Sequence, residues 1–136
     1  MKLYRGSSSA NFEVKKHVRS RYGFNALFFT TDIELARLYA HHLAREKRNW
    51  KGGFVYEFDI PEPYKKVDYK GAISYSSHFR NLMYELYRED LKSAIITNCY
   101  DYPSKDLVRY IKSDLVVVYD LELIKNFELI ESNVKV

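Results

Sequence analysis

Cysteine is nearly absent: Cys99 is the only one in 136 residues, which excludes an internal disulfide and leaves packing to hold the chain. That usage fits a reducing, cytoplasmic setting. No apolar run approaches the roughly 20 residues of a membrane-spanning helix. The opening Met-Lys-Leu-Tyr-Arg-Gly lacks the apolar core of a secretion signal. Neither G-x-x-x-x-G-K-[ST] nor G-x-G-x-x-G occurs, so the two common phosphate loops are missing. Metal ligands are sparse as well. His41 and His42 are adjacent, so a helix aims them to different sides, while His17 and His78 are isolated. With one cysteine and no H-E-x-x-H, no metal is expected.

Aromatic residues are plentiful, with 13 Tyr and 8 Phe making up most of a 16 % aromatic share. Such content argues against disorder and for one folded domain over residues 1–136. Many of the tyrosines are expected at the core margin or along a cleft, where ring and hydroxyl both find use. The net charge of +4 is mild, compatible with a phosphate-bearing partner without requiring one.

The clearest local signal is Asn25–Ala44. Leu27-Phe28-Phe29 reads as a buried strand, and Thr31 with Glu34 reads as a capping box. Ala36, Tyr39, Ala40 and Leu43 then recur at helical spacing. Before it, Lys2-Leu3-Tyr4 reads as a strand ended by Arg5-Gly6, followed by a hydroxyl-rich loop at Ser7-Ser8-Ser9. The segment from Asn11 to Arg21 reads as a short helix or a basic loop, and Arg45 to Gly53 as a basic loop.

Phe54 to Ile60 alternates cleanly, placing Phe54, Tyr56, Phe58 and Ile60 on one face until Pro61 stops the strand. Val67–Tyr69 is a further short strand. Phe79, Leu82, Met83, Leu86 and Tyr87 form a helical stripe that predicts a helix over Ser76–Leu91. Ala94–Thr97 is β-rich, Asn98–Pro103 reads as a turn, and Ser104 caps an expected short helix at Lys105–Ile111. Leu115–Tyr119 is apolar on both faces, hence a central strand. A helical turn near Leu121–Asn126 and a last strand at Phe127–Glu131 close the chain. Short strands mixed with two solid helices, without regular βαβ alternation, predict an α+β domain with an antiparallel or split sheet.

Three separated patches carry a pattern in order. They are Leu3-Tyr4-Arg5-Gly6-Ser7-Ser8, then Ala26–Thr31 with Ala36 and Tyr39, then Ser113–Asp120 running into Ile124-Lys125. Together this set resembles the ADP-ribosyltransferase superfamily, most nearly its small bacterial and phage-type members and the poly(ADP-ribose) polymerase catalytic core. The resemblance implies a split β-sheet with flanking helices and a cleft that binds NAD⁺ in a bent form. It implies an NAD⁺-dependent mono-ADP-ribosyltransferase that releases nicotinamide and modifies an intracellular macromolecule, as a toxin or phage effector does. NAD⁺ is then a substrate, and the acceptor is a protein or a nucleic acid.

Carried onto this sequence, the resemblance makes Arg5, Gly6, Ser7, Phe28, Thr30 and Tyr39 the NAD⁺-binding residues, with Arg5 and Asp114 catalytic. Gly6 suits a close backbone approach to the nicotinamide amide, because it lacks a Cβ. Arg5 suits directional bonds to a phosphate or ribose. Phe28 and Tyr39 suit ring stacking. Cleaving the nicotinamide–ribose bond builds positive charge on the sugar, so a carboxylate belongs beside it. The family usually places a glutamate at the third patch; here Asp114 stands nearest, one carbon shorter, with Glu57 as the fallback. Two other readings stay open. One is a catalytically inactive binding or inhibitor protein of the same fold. The other is a small basic nucleic-acid-binding domain using Arg19, Arg21, Arg45 and Arg48, although its basic residues do not interleave with aromatics in one compact stretch.

Overall fold

The structure is a computed structural model in which residues 1–14, 22–103 and 110–136 are described. Seven strands form one mixed sheet. In chain order they are β1 (Lys2–Ser7), β2 (Leu27–Thr30), β3 (Gly53–Asp59), β4 (Lys66–Asp68), β5 (Ser93–Asp101), β6 (Ile111–Val118) and β7 (Asn126–Val134). Two α-helices, α1 (Ile33–Glu46) and α2 (Ser77–Arg88), and a 3₁₀ turn at Leu121–Leu123 complete the described elements. The spatial order is β4-β5-β6-β2-β1-β3-β7. Among the described strands only β4 and β5 pair in parallel, and α2 is the crossover between them. This is an α+β arrangement in general terms.

Strand alternation sorts the core onto two faces. Leu3, Leu27, Phe29, Phe58, Val116 and Val118 bury together on one face, beneath loop residues such as Phe12, Leu121 and Leu123. The expected alternation of β3 holds: Phe54, Tyr56, Phe58 and Ile60 all join this cluster. On the opposite face, Phe79, Met83 and Leu86 of α2 pack on Ala94, Ile96, Leu115 and Val117. Helix α1 lies on the same face, its Ala36 and Ala40 against Val55. Alanine there is a matter of clearance. A Cβ on Gly6 would lie 2.3 Å from the Ala36 carbonyl oxygen, and one on Gly53 would lie 2.1 Å from that of Ala40. The helix backbone therefore rests directly on two glycines of β1 and β3.

Several boundaries differ from the sequence reading. Asp32, not Thr31, caps α1, its carboxylate accepting the Glu34 N–H at 2.8 Å. Thr31 is occupied elsewhere: its N–H donates to the Asp114 carbonyl at 3.1 Å and ties β2 to β6. With that amide committed to the sheet, the helix begins one residue later, at a residue type that caps better than threonine. Helix α1 also runs on through Arg45 and Glu46. Ser76 caps α2, accepting from Phe79 N–H at 3.1 Å. Residues 98–101, read as a turn, are strand, because β5 absorbs Asn98 as a bulge. Ile111 starts β6 rather than ending a helix. Residues 105–109 of that expected helix, its Ser104 cap, and residues 15–21 of the expected basic segment lie outside the described residues, and Tyr110 is not helical.

The sheet is weakly joined at one seam. Strands β1 and β2 share a single register pair, Tyr4↔Thr30, whereas β1 pairs with β3 over six residues and β2 with β6 over four. Extending the Tyr4↔Thr30 register would set Gly6 opposite Phe28. Instead the strands part, and the Phe28 carbonyl accepts from Arg5 Nη1 at 2.8 Å.

Candidate functional site

A cavity of about 430 Å³ opens at this seam, on the helix-bearing face. That volume is in the range of small-ligand sites. Strands β1 and β2 contribute Arg5, Gly6, Phe28 and Thr30, helix α1 contributes Tyr39 and Leu43, and Ser74, Tyr75, Phe79 and Asp101 line the far side. The wall is mostly aromatic and aliphatic. Tyr22 and Phe28 meet at 5.8 Å between ring centroids, and Tyr22 and Phe79 at 6.4 Å.

Two charged groups stand in this apolar setting. Arg5 sits at the seam because β1 and β2 part just where its side chain leaves the strand. Its ordered bond goes to a backbone carbonyl, and among the described residues it makes no ion pair with a carboxylate. Burial pushes its pKa below the ordinary arginine value, and Tyr39 pulls it partly back. A partly buried guanidinium bonded, among the described residues, to a neutral oxygen favours an anion.

The second charged group is Asp101, a buried residue at the end of β5. Tyr39 Oη donates to one carboxylate oxygen at 2.6 Å, and Ser74 Oγ donates to the other. The direction of the Asp101 side chain depends on the bulge. Up to Ile96 the even-numbered residues of β5 face the helices, with Ala94 and Ile96 in the α2 cluster. Asn98 takes a left-handed φ of 58°, the register shifts between Ile96 and Cys99, and from there the odd-numbered Cys99 and Asp101 face that side. Burial, reinforced by Asp101, pushes the Cys99 thiol up to about 12. Cys99 is therefore a neutral packing residue.

The cavity brings together five of the residues singled out from the sequence: Arg5, Gly6, Phe28, Thr30 and Tyr39. Their roles are unequal. Thr30 Oγ1 is already held 2.5 Å from Ser113 Oγ and accepts from Asp32 N–H at 3.0 Å. Gly6 owes its missing Cβ to helix α1, as the clearance above shows.

Three others lie elsewhere. Ser7 accepts from Ser9 N–H at 3.0 Å within the loop and does not line the cavity. Glu57 does not line the cavity and lies 3.8 Å from Lys2 Nζ. Asp114 precedes Leu115, which lines the cavity, so alternation sends the Asp114 side chain to the opposite face with Val116. There its carboxylate accepts the Asn98 N–H at 3.2 Å and satisfies the bulge that turns Asp101 inward.

Sequence reasoning passed over Asp101, Ser74, Tyr75 and Tyr22. The signal for Asp101 was Asn98, a residue type that tolerates the left-handed region, set inside a β-rich run. Among the described residues, no three His, Cys, Asp or Glu side chains gather as a metal site, and no helix is long and apolar enough to cross a membrane. In comparisons with known proteins, no family model, no curated protein and no solved structure matches this chain.

Proposed function

We propose that the chain is an NAD⁺-dependent mono-ADP-ribosyltransferase acting on a macromolecule, with the seam cavity as its active site and a split-sheet fold of that superfamily. The observation that carries the reading is Arg5. A desolvated guanidinium without a carboxylate partner among the described residues faces the same ring-lined cavity as a hydroxyl-held carboxylate. Cation, flat apolar walls and anion are what a dinucleotide presents in complement: phosphates, a nicotinamide ring, and a ribose that gains positive charge as it reacts. The cavity suits the nicotinamide–ribose half of the molecule, with the pyrophosphate toward Arg5.

The acid in this reading is Asp101 rather than Asp114. As the bond between ribose C1′ and the nicotinamide nitrogen breaks, its electron pair leaves with nicotinamide. The oxocarbenium-like sugar is stabilised by the Asp101 carboxylate, which Tyr39 and Ser74 hold in place. A nucleophile of the acceptor then forms the new bond to C1′ and gives up its proton. Phe28 and Tyr39 hold the ring, at about 1 kcal/mol per stacking contact.

The test is incubation with labelled NAD⁺ and cell lysate beside three variants. Asp101→Asn is expected to lower nicotinamide release at least a hundred-fold while keeping the thermal shift with NAD⁺. Arg5→Gln is expected to lose the shift. Asp114→Asn keeps the size of the side chain and is expected to retain most of the release. No release from the parent protein under any condition, together with no thermal shift, would sink the enzyme reading.

A further inference from the structure

Outside the cavity, the turn from α1 into β3 holds the densest positive charge among the described residues. Residues 45–51 read Arg-Glu-Lys-Arg-Asn-Trp-Lys and carry +3 of the chain's net +4. Trp50 is the sole tryptophan, and it stands 63 % exposed. A free indole is the costliest side chain to leave in water, and burying it is the usual outcome. Yet nothing here is loosely hung. The Arg48 N–H donates to the Arg45 carbonyl at 3.0 Å, Asn49 N–H to the Ala44 carbonyl at 2.8 Å, and Lys51 N–H to Asn49 Oδ1 at 3.1 Å.

The cations flank the ring in sequence and are left available. The Arg45 guanidinium lies over the indole at 5.6 Å. Arg45, Lys47, Arg48 and Lys51 are all exposed, and none makes an ion pair among the described residues. The field reaches further along the helix. His41 is held below its ordinary pKa first by burial and then by Arg45, His42 and Lys135.

We propose that Trp50 and the four cations around it bind single-stranded nucleic acid, one base stacking on the indole while Arg45, Lys47, Arg48 and Lys51 meet neighbouring phosphates. Each part of the patch answers a part of that ligand. An ordered, exposed ring with a guanidinium on it offers a base a stacking surface, and unpaired cations within a few residues of it match phosphates one nucleotide apart. An acidic peptide would use the cations but leave the indole idle. A duplex keeps its bases stacked on one another and offers no free ring face. The site shares no residue with the seam cavity, so the proposal stands independently of the transferase reading.

The single tryptophan makes the test direct, because the full chain's indole fluorescence reports Trp50 alone. The titrants are a twelve-nucleotide DNA strand, the matching RNA strand, the DNA duplex and polyglutamate. Quenching by either single strand, with affinity falling on added salt by a slope of about 0.7 per phosphate engaged, is the expected result. Lys47→Gln with Lys51→Gln should reduce that slope by about 1.4. Trp50→Ala, followed by the anisotropy of a labelled strand, should weaken binding roughly ten-fold. Absence of quenching, equal quenching by duplex or polyglutamate, or full-strength binding by Trp50→Ala would each overturn the proposal. Trp50 is exposed, so its loss does not threaten the fold.

Discussion

Replacing Gly6 with alanine separates two explanations of that glycine. If Gly6 exists to let a nicotinamide amide approach, Gly6→Ala folds normally and loses NAD⁺ binding alone. The geometry predicts a different outcome. The new Cβ would lie 2.3 Å from the Ala36 carbonyl oxygen and 2.4 Å from the Ala40 nitrogen, where ordinary contact begins near 3.4 Å. Both are backbone atoms of α1, so no rotamer change relieves the clash; the helix itself must lift by about 1 Å. Overpacking of this kind costs 1–3 kcal/mol, and a gap of that size forfeits a quarter to a half of each affected contact along Ala36 and Ala40. Alanine returns about 0.5 kcal/mol by restricting the unfolded chain. The expected net loss is about 3 kcal/mol, or about 10 °C in Tm for a domain of this length. Urea denaturation followed by circular dichroism measures it. A further check comes from Gly53→Ala, whose Cβ would meet the Ala40 carbonyl oxygen at 2.1 Å. Once α1 has lifted for one Cβ it has partly lifted for the other, so the double variant should cost less than the two singles together. A Gly6→Ala protein within 0.5 kcal/mol of the parent would refute the reasoning.

The ion pair joining α1 to β7 gives a pH prediction. Arg37 holds Glu131 through Nε at 2.9 Å and Nη2 at 2.7 Å, and this bond lowers the Glu131 pKa from its ordinary 4.5. A depressed carboxylate stabilises fully above its unfolded pKa and loses that contribution as pH falls through the folded one. Arg37→Ala should therefore cost about 1 kcal/mol at neutral pH, because the pair is partly exposed and screened, and progressively less in urea titrations as pH falls below 4.5. Asn98→Gly should be tolerated, whereas Asn98→Val, forcing a β-branched residue to φ 58°, should cost about 1–3 kcal/mol by thermal denaturation. Cys99 should resist a thiol reagent at about pH 8 in the native protein and react on unfolding, since burial pushes its thiol up to about 12.

Periodicity made the two helices and the β3 strand legible, because each buries one face and leaves the other wet. It could not show the seam. Nothing in Leu3-Tyr4-Arg5-Gly6 or Leu27-Phe28-Phe29 says that two neighbouring strands pair at one position and then part, since that depends on how α1 rests on Gly6 and Gly53. The resemblance named Arg5, Phe28 and Tyr39 and expected a cleft, but not the parting of β1 and β2 at which the cavity opens. Asp114 and Asp101 show the opposite limit. Both are aspartates in β-rich runs, and which one faces the helices is decided by a single bulged residue that simple alternation does not include. Thr31 was assigned to the helix from local spacing alone, while its amide went to β6, a partner 83 positions away.

The bulge has a consequence for how this chain tolerates change. Pleated strands have only two sides, so one surplus residue in β5 exchanges the surroundings of everything after it until the strand ends. Deleting a residue near Asn98 would leave Asp101 chemically intact and send it to the far side of the sheet, away from Tyr39 and Ser74. A homologue can therefore keep every residue of the cavity and still lose its carboxylate through a one-codon deletion that touches none of them. Alignments scored by identity at the site would miss such a change, while the spacing between Ile96 and Asp101 would reveal it.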